Sequence, residues 1–374
     1  MHAIVKAYTL SECMDAMAEY ANAYELAGGK NLIFCEDRLT LIGERALIKR
    51  TGGTFSSAVS TFARFLKMDG RALSKQGSVM AVGEIMARLQ REEKLKCFKS
   101  VSGIGNNARS IYETLAQFAA SEITPELLQE SLAQLPDDML KKKVFDLALI
   151  FEGYNEFLRA GGFVDESHYL SLLPKRIREE NSLKGYNVFF VGYSSFTAQA
   201  KEIIRAALET AENVIGIFCA GEEELYTNRA AAAFESVCRE FGKVNEVNFC
   251  TPLDGEAEVL RKGLFNPKQP SAKMQTEKIS IFEAGDKTLE CEYVAAKIRR
   301  EMAEGDMHFR DFAVLTPDMA SYALPLKKAF AEYGIPYFID EKKSLKNHPL
   351  ARFLLDAFRV VREGCSPLAV QSLF

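Results

Sequence analysis

This sequence lacks several patterns that would indicate a particular chemistry. Its eight cysteines never form a CxxC pair and never stand at ligand spacing from a histidine, so no metal site is indicated. The four histidines are scattered, and none belongs to a Ser/His/Asp or Cys/His signature. We therefore expect neither a metal ion nor a catalytic nucleophile in this chain.

Long apolar runs are missing as well. No stretch of ~18 apolar residues is available to span a membrane, and the first residues, MHAIVKAYTLSECMDAM, lack the apolar core of a secretory leader. Cys35 and Cys219 lie in or beside apolar strand-like runs, where free cysteine behaves as a small buried hydrophobe. These features predict a cytoplasmic protein that makes no contact with a membrane.

Positive and negative charges are nearly balanced in this sequence. The net charge is -4, with 48% apolar and 26% charged residues, which is the composition of an ordinary globular protein. A nucleic-acid surface would therefore have to be a local patch rather than a property of the whole chain. The length of 374 residues exceeds the ~250 to 300 residues of a single core and predicts two or three domains.

Short apolar runs that alternate with helical segments predict a parallel sheet. HAIVKAY and NLIFCE read as strands joined by a helix, with Ser11 as its N-cap and Gly28 and Gly29 as its stop. YNVFFVGY and NVIGIFCA read as two further strands with a crossover helix between them. Runs of this kind, joined by helices, are typical of a sheet covered on both faces.

A helical block interrupts these strands, and a second set of strands follows it. From about Ala72 to Leu183, apolar residues three and four apart predict helices almost throughout, and Pro125 marks one helix start. The polar stretch 251–277 reads as a boundary. Beyond it, KISIFEA and DFAVLTP are each followed by a helical run and predict the beginning of a second α/β unit.

The residues that bind a nucleotide are missing at the strand ends where a parallel sheet of this kind would carry them. A phosphate loop needs glycines, a lysine and a hydroxyl, and magnesium needs a carboxylate at a strand end. The strand that begins at Asn187 ends instead on Val191 and Gly192. The loop after the first strand holds none of the required glycines or lysines and consists of Tyr8, Thr9, Leu10, Ser11 and Glu12. Both sites are therefore interpreted as degenerate.

The whole series of motifs resembles the B subunit of the bacterial AddAB helicase-nuclease, called RexB in some lineages. CEDRLTLIGERAL and VSTFARFLKMDG resemble that family's "PEQ" and "SF.RL" segments, and KKKVFDLALIFEGYNEFL with Asp165 resembles its helical insertion. YNVFFVGYSSFTAQAKEII resembles its "DGF..FTPQE" segment, with Val191 in place of Asp and Ala198 in place of Pro. Residues 311–361, which contain IPYFIDEK, resemble its second motor-like domain.

The resemblance implies a fold and a domain order. It implies an α/β protein: a P-loop NTPase-like parallel-sheet domain of the superfamily-one helicase type, with an inserted helical subdomain and the start of a second helicase-like α/β domain. Residues 1–70 and 185–255 would form the first domain, 71–184 the insertion and 276–374 the second domain. Because the chain ends at VQSLF in mid-pattern, we expect the second domain to be truncated.

The resemblance also implies a function. The chain would be the ATPase-inactive N-terminal part of an ATP-dependent helicase/exonuclease subunit that guides single-stranded DNA during double-strand break repair and recombination. In the family, this part scans the strand for a recombination hotspot sequence. An AddA-type subunit would be the partner, and duplex-end DNA the substrate. No cofactor is expected in this segment, since Mg²⁺ and a 4Fe–4S cluster would belong to a nuclease domain beyond its end.

The segments STFARF and DEKKSLKNHPL supply candidate DNA contacts. The first offers a hydroxyl, an arginine and aromatic rings, which together can hold a single strand, and the second places polar side chains around a turn. The candidates are Arg38, Thr61, Phe62, Arg64, Lys342, Lys343, Asn347 and His348. Phe62 and Phe65 fit core positions at least as well, and the second segment also fits a solvated loop.

Two other functions remain open at the level of sequence. One is an active superfamily-one DNA helicase motor with an atypical ATP site. The other is a purely structural subunit whose only partner is protein.

Overall fold

The structure is a computed structural model of the chain. It describes residues 2–65, 70–99, 104–136, 138–220, 228–251, 253, 255–264, 276, 278–340 and 345–373. Two compact units are present, Met1–Met274 and Gln275–Phe374. In the described part of the chain, every helix is too short or too polar to cross a lipid bilayer.

The first unit is built on a six-stranded sheet in which all neighbouring strands are parallel. Its strands are β1 (His2–Ala7), β2 (Lys30–Phe34), β3 (Ser57–Ser60), β6 (Tyr186–Val191), β7 (Asn213–Cys219) and β8 (Asn245–Asn248). They lie in the order β3-β2-β6-β7-β1-β8. A separate two-stranded ribbon pairs β4 (Arg71–Ala72) with β5 (Phe163–Val164).

Helices cover both faces of the six-stranded sheet. One face carries α1 (Leu10–Leu26) and α2 (Thr40–Thr51), and the other carries α8 (Glu166–Glu180), α9 (Ala198–Thr210) and α10 (Arg229–Arg239). Successive side chains of β6 alternate between the faces, so Phe190 joins the core under α8–α10 while Phe189 and Val191 join the core under α1. This two-sided burial explains why the strand reads as an unbroken apolar run.

Most of the predicted helical block is helical. It contains α4 (Lys75–Arg91), α5 (Ile104–Ala120), α6 (Pro125–Ser131) and α7 (Met139–Gly161), which enclose an apolar core of their own, and it is preceded by the short α3 (Phe62–Phe65), which packs on the sheet side. The predicted helix start is confirmed: Pro125 is the first residue of α6, and Thr124 caps it. The described remainder of the first unit adds α11 (Gly255–Gly263).

Asp165 fastens the helical block to the helices on the sheet. Its buried carboxylate accepts hydrogen bonds from the hydroxyls of Tyr154 in α7, at 2.5 Å, and Tyr112 in α5, at 3.4 Å. The same side chain caps α8 by accepting the His168 N–H at 2.8 Å. Because α8 packs against α9 and the sheet, this one carboxylate joins three helices and fixes where the block stands over the sheet.

The predicted N-cap of α1 is wrong by two residues. Thr9, not Ser11, is the cap, and it has the extended backbone that an N-cap requires. The reason is the position of Glu12, which stands three residues after Thr9 and completes a capping box with it. Ser11 has Met14 at the corresponding position, and no reciprocal hydrogen bond is available to it.

The second unit contains α12 (Lys287–Glu304), α13 (Met319–Glu332), α14 (Pro349–Arg362) and α15 (Pro367–Leu373). Its core joins Cys291, Leu326 and Phe330. The predicted strands KISIFEA and DFAVLTP are wrong for this structure, because none of the described residues of the second unit is in a strand. Among the described residues, neither segment has a neighbouring strand to bond with, and Ile281 and Leu315 are 98% and 93% exposed.

We predict that Asp165→Ala lowers the free energy of unfolding by about 2–4 kcal/mol, because two buried hydroxyls and a helix cap lose their acceptor together. Urea unfolding followed by circular dichroism measures it. The matched control is Asp138→Ala, which removes an exposed cap of α7 alone and should cost about 1 kcal/mol. Equal losses for the two variants would contradict the joining role of Asp165.

Candidate nucleotide site and nucleic-acid cleft

The carboxyl ends of the parallel strands define where a ligand would bind. In open α/β sheets, ligands sit beyond these ends, at the point where the strand order reverses. From β1 the chain passes through α1 to β2, which lies on the β7 side of β1 in the sheet. The later connection from β7 to β8 passes over β1 and places β8 on the opposite side of β1. The loop after β1, with the start of α1, therefore lies at the reversal point, where an anion would be favoured.

A carboxylate of the protein itself occupies the start of α1. One oxygen of Glu12 accepts hydrogen bonds from the backbone N–H groups of Tyr8 at 2.9 Å and Thr9 at 3.0 Å. Its other oxygen accepts from the N–H of Thr251, beyond β8, at 2.8 Å. In return the Thr9 hydroxyl accepts the Glu12 N–H at 3.2 Å. Backbone donors that could hold a phosphate are thus already bound to an internal anion.

The electrostatics of this loop keep Glu12 charged. Burial opposes its ionisation, but the hydrogen bonds from Thr251, Thr9 and Tyr8 outweigh burial and hold the pKa of Glu12 below its ordinary value. The guanidinium of Arg261, from α11, stacks over the Tyr8 ring at 3.9 Å from its centroid. The loop is therefore tied to the segments that follow β8 by two separate contacts.

Apolar side chains fill the edge where a magnesium carboxylate would stand. Val191 is fully buried and packs in the core under α1. Gly192 has a φ of +71°, and a Cβ placed on it would come within 2.9 Å of the Leu39 side chain and 3.1 Å of Leu10. No larger side chain fits there without displacing the leucines. In the described residues, no three His, Cys, Asp or Glu side chains are grouped to hold a metal ion.

A cleft of about 940 Å³ lies between the sheet edge and the helical block. The segments after β2, β3 and β6 form one wall, and α4, α5 and α8 form the other. Three of the predicted DNA contacts, Thr61, Phe62 and Arg64, line this cleft. The exposed Arg38 lies on the turn that follows β2, beside the cleft residues Glu36 and Asp37.

Each of three cations at this cleft is paired with a carboxylate. Arg64 contacts Asp37 at 2.6 Å, and Arg38 contacts Glu36 at 2.7 Å. Across the cleft, Lys75 contacts Glu113 at 2.9 Å, and this hydrogen bond holds the pKa of Glu113 below its ordinary value. Exposed pairs of this kind contribute little to stability, so a phosphate can replace the carboxylate at little cost.

The aromatic side of the cleft is continuous with the core of the sheet. The ring of Phe62 stacks on Tyr193 at a centroid distance of 5.6 Å and lies 5.1 Å from Phe34. Phe65 packs edge-on against Phe34 at 5.3 Å. Phe62 thus lines the cleft and also packs against aromatic rings of the core, whereas Phe65 packs against the core and does not line the cleft.

The sequence did not predict three of the residues that line the cleft: Tyr193, Lys75 and Glu113. Tyr193 follows Gly192 directly, so the rule that strand ends carry ligand contacts would have found it. Lys75 and Glu113 belong to helices α4 and α5, and no local pattern shows that these helices face the sheet edge.

The other predicted contacts belong to the second unit. Asn347 ends the short 3₁₀ helix Leu345–Asn347 and His348 precedes α14; both are exposed and both belong to the second unit. Lys342 and Lys343 lie outside the described residues. Within the first unit, the structure gathers the contacts from the STFARF segment and Arg38 at one place.

The parallel sheet, the inserted helical block and the cleft between them define the class of this protein: it is an α/β protein with a helical insertion. The family model described as "ADDB, N-terminal" matches residues 37–262, more than half of the chain, and the chain belongs to this family.

Proteins named as the B subunit of an ATP-dependent helicase/deoxyribonuclease are similar to most of the chain. The one from Clostridium tetani is 28% identical over 90% of this chain and 30% of its own length. Those from Clostridium novyi and Symbiobacterium thermophilum are 25% and 26% identical, over 90% and 93% of this chain. The chain spans about a third of the length of these curated relatives.

We predict that Glu12→Gln lowers the free energy of unfolding at pH 7 by about 1 kcal/mol, because the capping box loses its charge. The folded-state pKa of Glu12 is depressed, so its contribution is complete above the ordinary pKa of 4.5 and is lost as pH falls through the lower folded value. The gap between wild type and variant should therefore narrow as the pH falls below 4.5.

Urea unfolding at a series of pH values measures this gap. Glu19→Gln, an exposed glutamate on the same helix, is the control and should show no gap at any pH. A Glu12→Gln gap that stays constant with pH would contradict the role of the carboxylate.

Proposed function

We propose that this chain is the N-terminal part of the B subunit of a helicase/deoxyribonuclease, and that it works as an ATPase-inactive scaffold. Its sheet would be a P-loop NTPase-like domain of the superfamily-one helicase type that has kept the framework and lost the nucleotide site. The observation that carries this proposal is the Glu12 carboxylate on the backbone donors at the start of α1. The filled edge at Gly192 adds a second obstacle to ATP and its metal.

The same scaffold guides single-stranded DNA along the cleft. Arg64 on the sheet side and Lys75 on the helical side stand on opposite walls, and each is held in place by a weak ion pair. A strand that enters the cleft would exchange these carboxylates for its phosphates, while the Phe62–Tyr193 stack offers an aromatic surface for bases. This combination binds a strand without needing a strong sequence preference.

The remaining parts of the proposal come from the relatives' names and the family likeness. The relatives are named as one subunit of an enzyme, which implies at least one other, and we propose an AddA-type helicase-nuclease as the one that supplies translocation. The assembly would process DNA ends in double-strand break repair and recombination in the cytoplasm.

One observation favours the protein-interaction alternative for the second unit. Helix α14 has no buried residue, and four of its exposed apolar side chains recur at the spacing of one helical face: Leu350, Leu354, Phe358 and Val361. An exposed apolar stripe of this kind marks a surface that contacts protein. The second unit would then serve assembly, and the first unit would hold the DNA.

We predict that replacing both Arg64 and Lys75 by alanine weakens the binding of a single-stranded oligonucleotide and reduces its salt dependence. Single strands give a slope of about −0.7 in log K against log salt for each phosphate neutralised, so the double variant should lose about 1.4 from that slope. Fluorescence anisotropy at several salt concentrations measures both quantities. In the opposite direction, Asp37→Asn should tighten binding, because it releases Arg64 from its carboxylate.

The matched control is Arg91→Ala, which removes an exposed cation of α4 that is paired with Glu84 and does not line the cleft. It should leave affinity and slope unchanged. Loss of affinity in this control to the same extent, or no change in the double variant, would contradict the cleft as the DNA-binding surface. Absence of oligonucleotide binding by the unaltered chain would select the structural role in which only protein is bound.

A further inference from the structure

Two cysteines that are far apart in sequence meet at the carboxyl edge of the sheet. Cys13 lies in α1 and is fully buried, and Cys219 is the last residue of β7 and is half-buried. Their Sγ atoms are 3.7 Å apart although 206 positions separate them along the chain. Both belong to the group of side chains under α1, so the contact is part of the packing that seats this helix.

The surroundings make the two thiols unequal. The contact with Cys13 lowers the pKa of Cys219, while burial and the negative charge of Glu12 oppose that shift. The same contact, together with burial, raises the pKa of Cys13. Cys219 is therefore the more acidic thiol of the two, and it is also the one that solvent reaches.

Other buried cysteines of this chain lack this combination. Burial raises the pKa of Cys35 to about 11 and that of Cys238 to about 12, which leaves both as unreactive thiols near neutral pH. Cys250 is nearby on the β8 side of β1, where its Sγ contacts the carbonyl oxygen of Lys6 at 3.4 Å.

We propose that Cys13 and Cys219 form an oxidation site that takes hydrogen peroxide as its oxidant and closes to a disulfide. The Cys219 thiolate attacks one peroxide oxygen, the O–O bond breaks, and the other oxygen leaves as hydroxide, which becomes water by taking the proton that the Cys219 thiol released on ionising. Cys219 is then a sulfenic acid. The Cys13 sulfur attacks the Cys219 sulfur, the S–O bond breaks, and the hydroxyl leaves as water with the proton of Cys13.

In this reaction two thiols lose two electrons and one peroxide is reduced to two waters. The product covalently joins α1 to the end of β7, beside the loop that Glu12 caps. Reversible disulfides in the cytoplasm are of this redox-sensing kind. The bond would hold the start of α1 against the sheet in oxidising conditions and release it when a thiol reductant returns.

The test is peptide mapping of the full chain after brief exposure to equimolar hydrogen peroxide and alkylation of the remaining thiols. We expect a linked peptide pair that contains Cys13 and Cys219, a fall from eight to six alkylated cysteines, and full reversal by dithiothreitol. Cys219→Ser should abolish the linked pair, and it is the preferred variant because the buried Cys13 is harder to replace without disturbing the fold. Cys97→Ser, at another half-buried cysteine, should leave the pair unchanged.

Three results would overturn the proposal. They are recovery of both peptides as free thiols, conversion of Cys219 to a sulfinic acid while Cys13 stays reduced, and a link from either residue to Cys250.

Discussion

The capping box at the start of α1 is the constraint on which the account of this protein depends. Glu12 accepts hydrogen bonds from the backbone at Tyr8 and Thr9 and also reaches across to Thr251, so one charged side chain joins the loop after β1 to the segment after β8. A helix start at the reversal point of a parallel sheet is a site for an anion. In this protein the anion is supplied from within, and the sheet can keep its shape without a nucleotide.

The cleft follows from the same framework. Because the parallel strands end at one edge, the turns after β2, β3 and β6 gather there, and Asp165 holds the helical block so that α4 and α5 face them. The cations of the cleft are paired with carboxylates on both walls. A net charge of -4 is therefore compatible with a local surface for DNA, provided that a strand can exchange phosphates for weakly held carboxylates.

The sequence predicted the elements whose burial is local and strong. The four runs that became β1, β2, β6 and β7 are apolar because both sheet faces are covered, and Pro125 marks α6 because proline fits a first helical position. The cap was misplaced from Thr9 to Ser11 because only the reciprocal contact with Glu12 distinguishes them. KISIFEA and DFAVLTP read as strands because strand propensity is local, whereas strand formation needs a neighbour. Lys75 and Glu113 reach the cleft only through tertiary packing, and no sequence period reports that.

The most direct test of whether the Glu12 carboxylate takes the place of a nucleotide phosphate is isothermal titration calorimetry of the chain with ATP and Mg²⁺. The account predicts no heat of binding, because the donors at the start of α1 are occupied by Glu12 and the edge at Gly192 is filled by leucines. Micromolar binding that disappears on substitution within Tyr8–Glu12 would contradict it and would identify an active motor with an unusual nucleotide site.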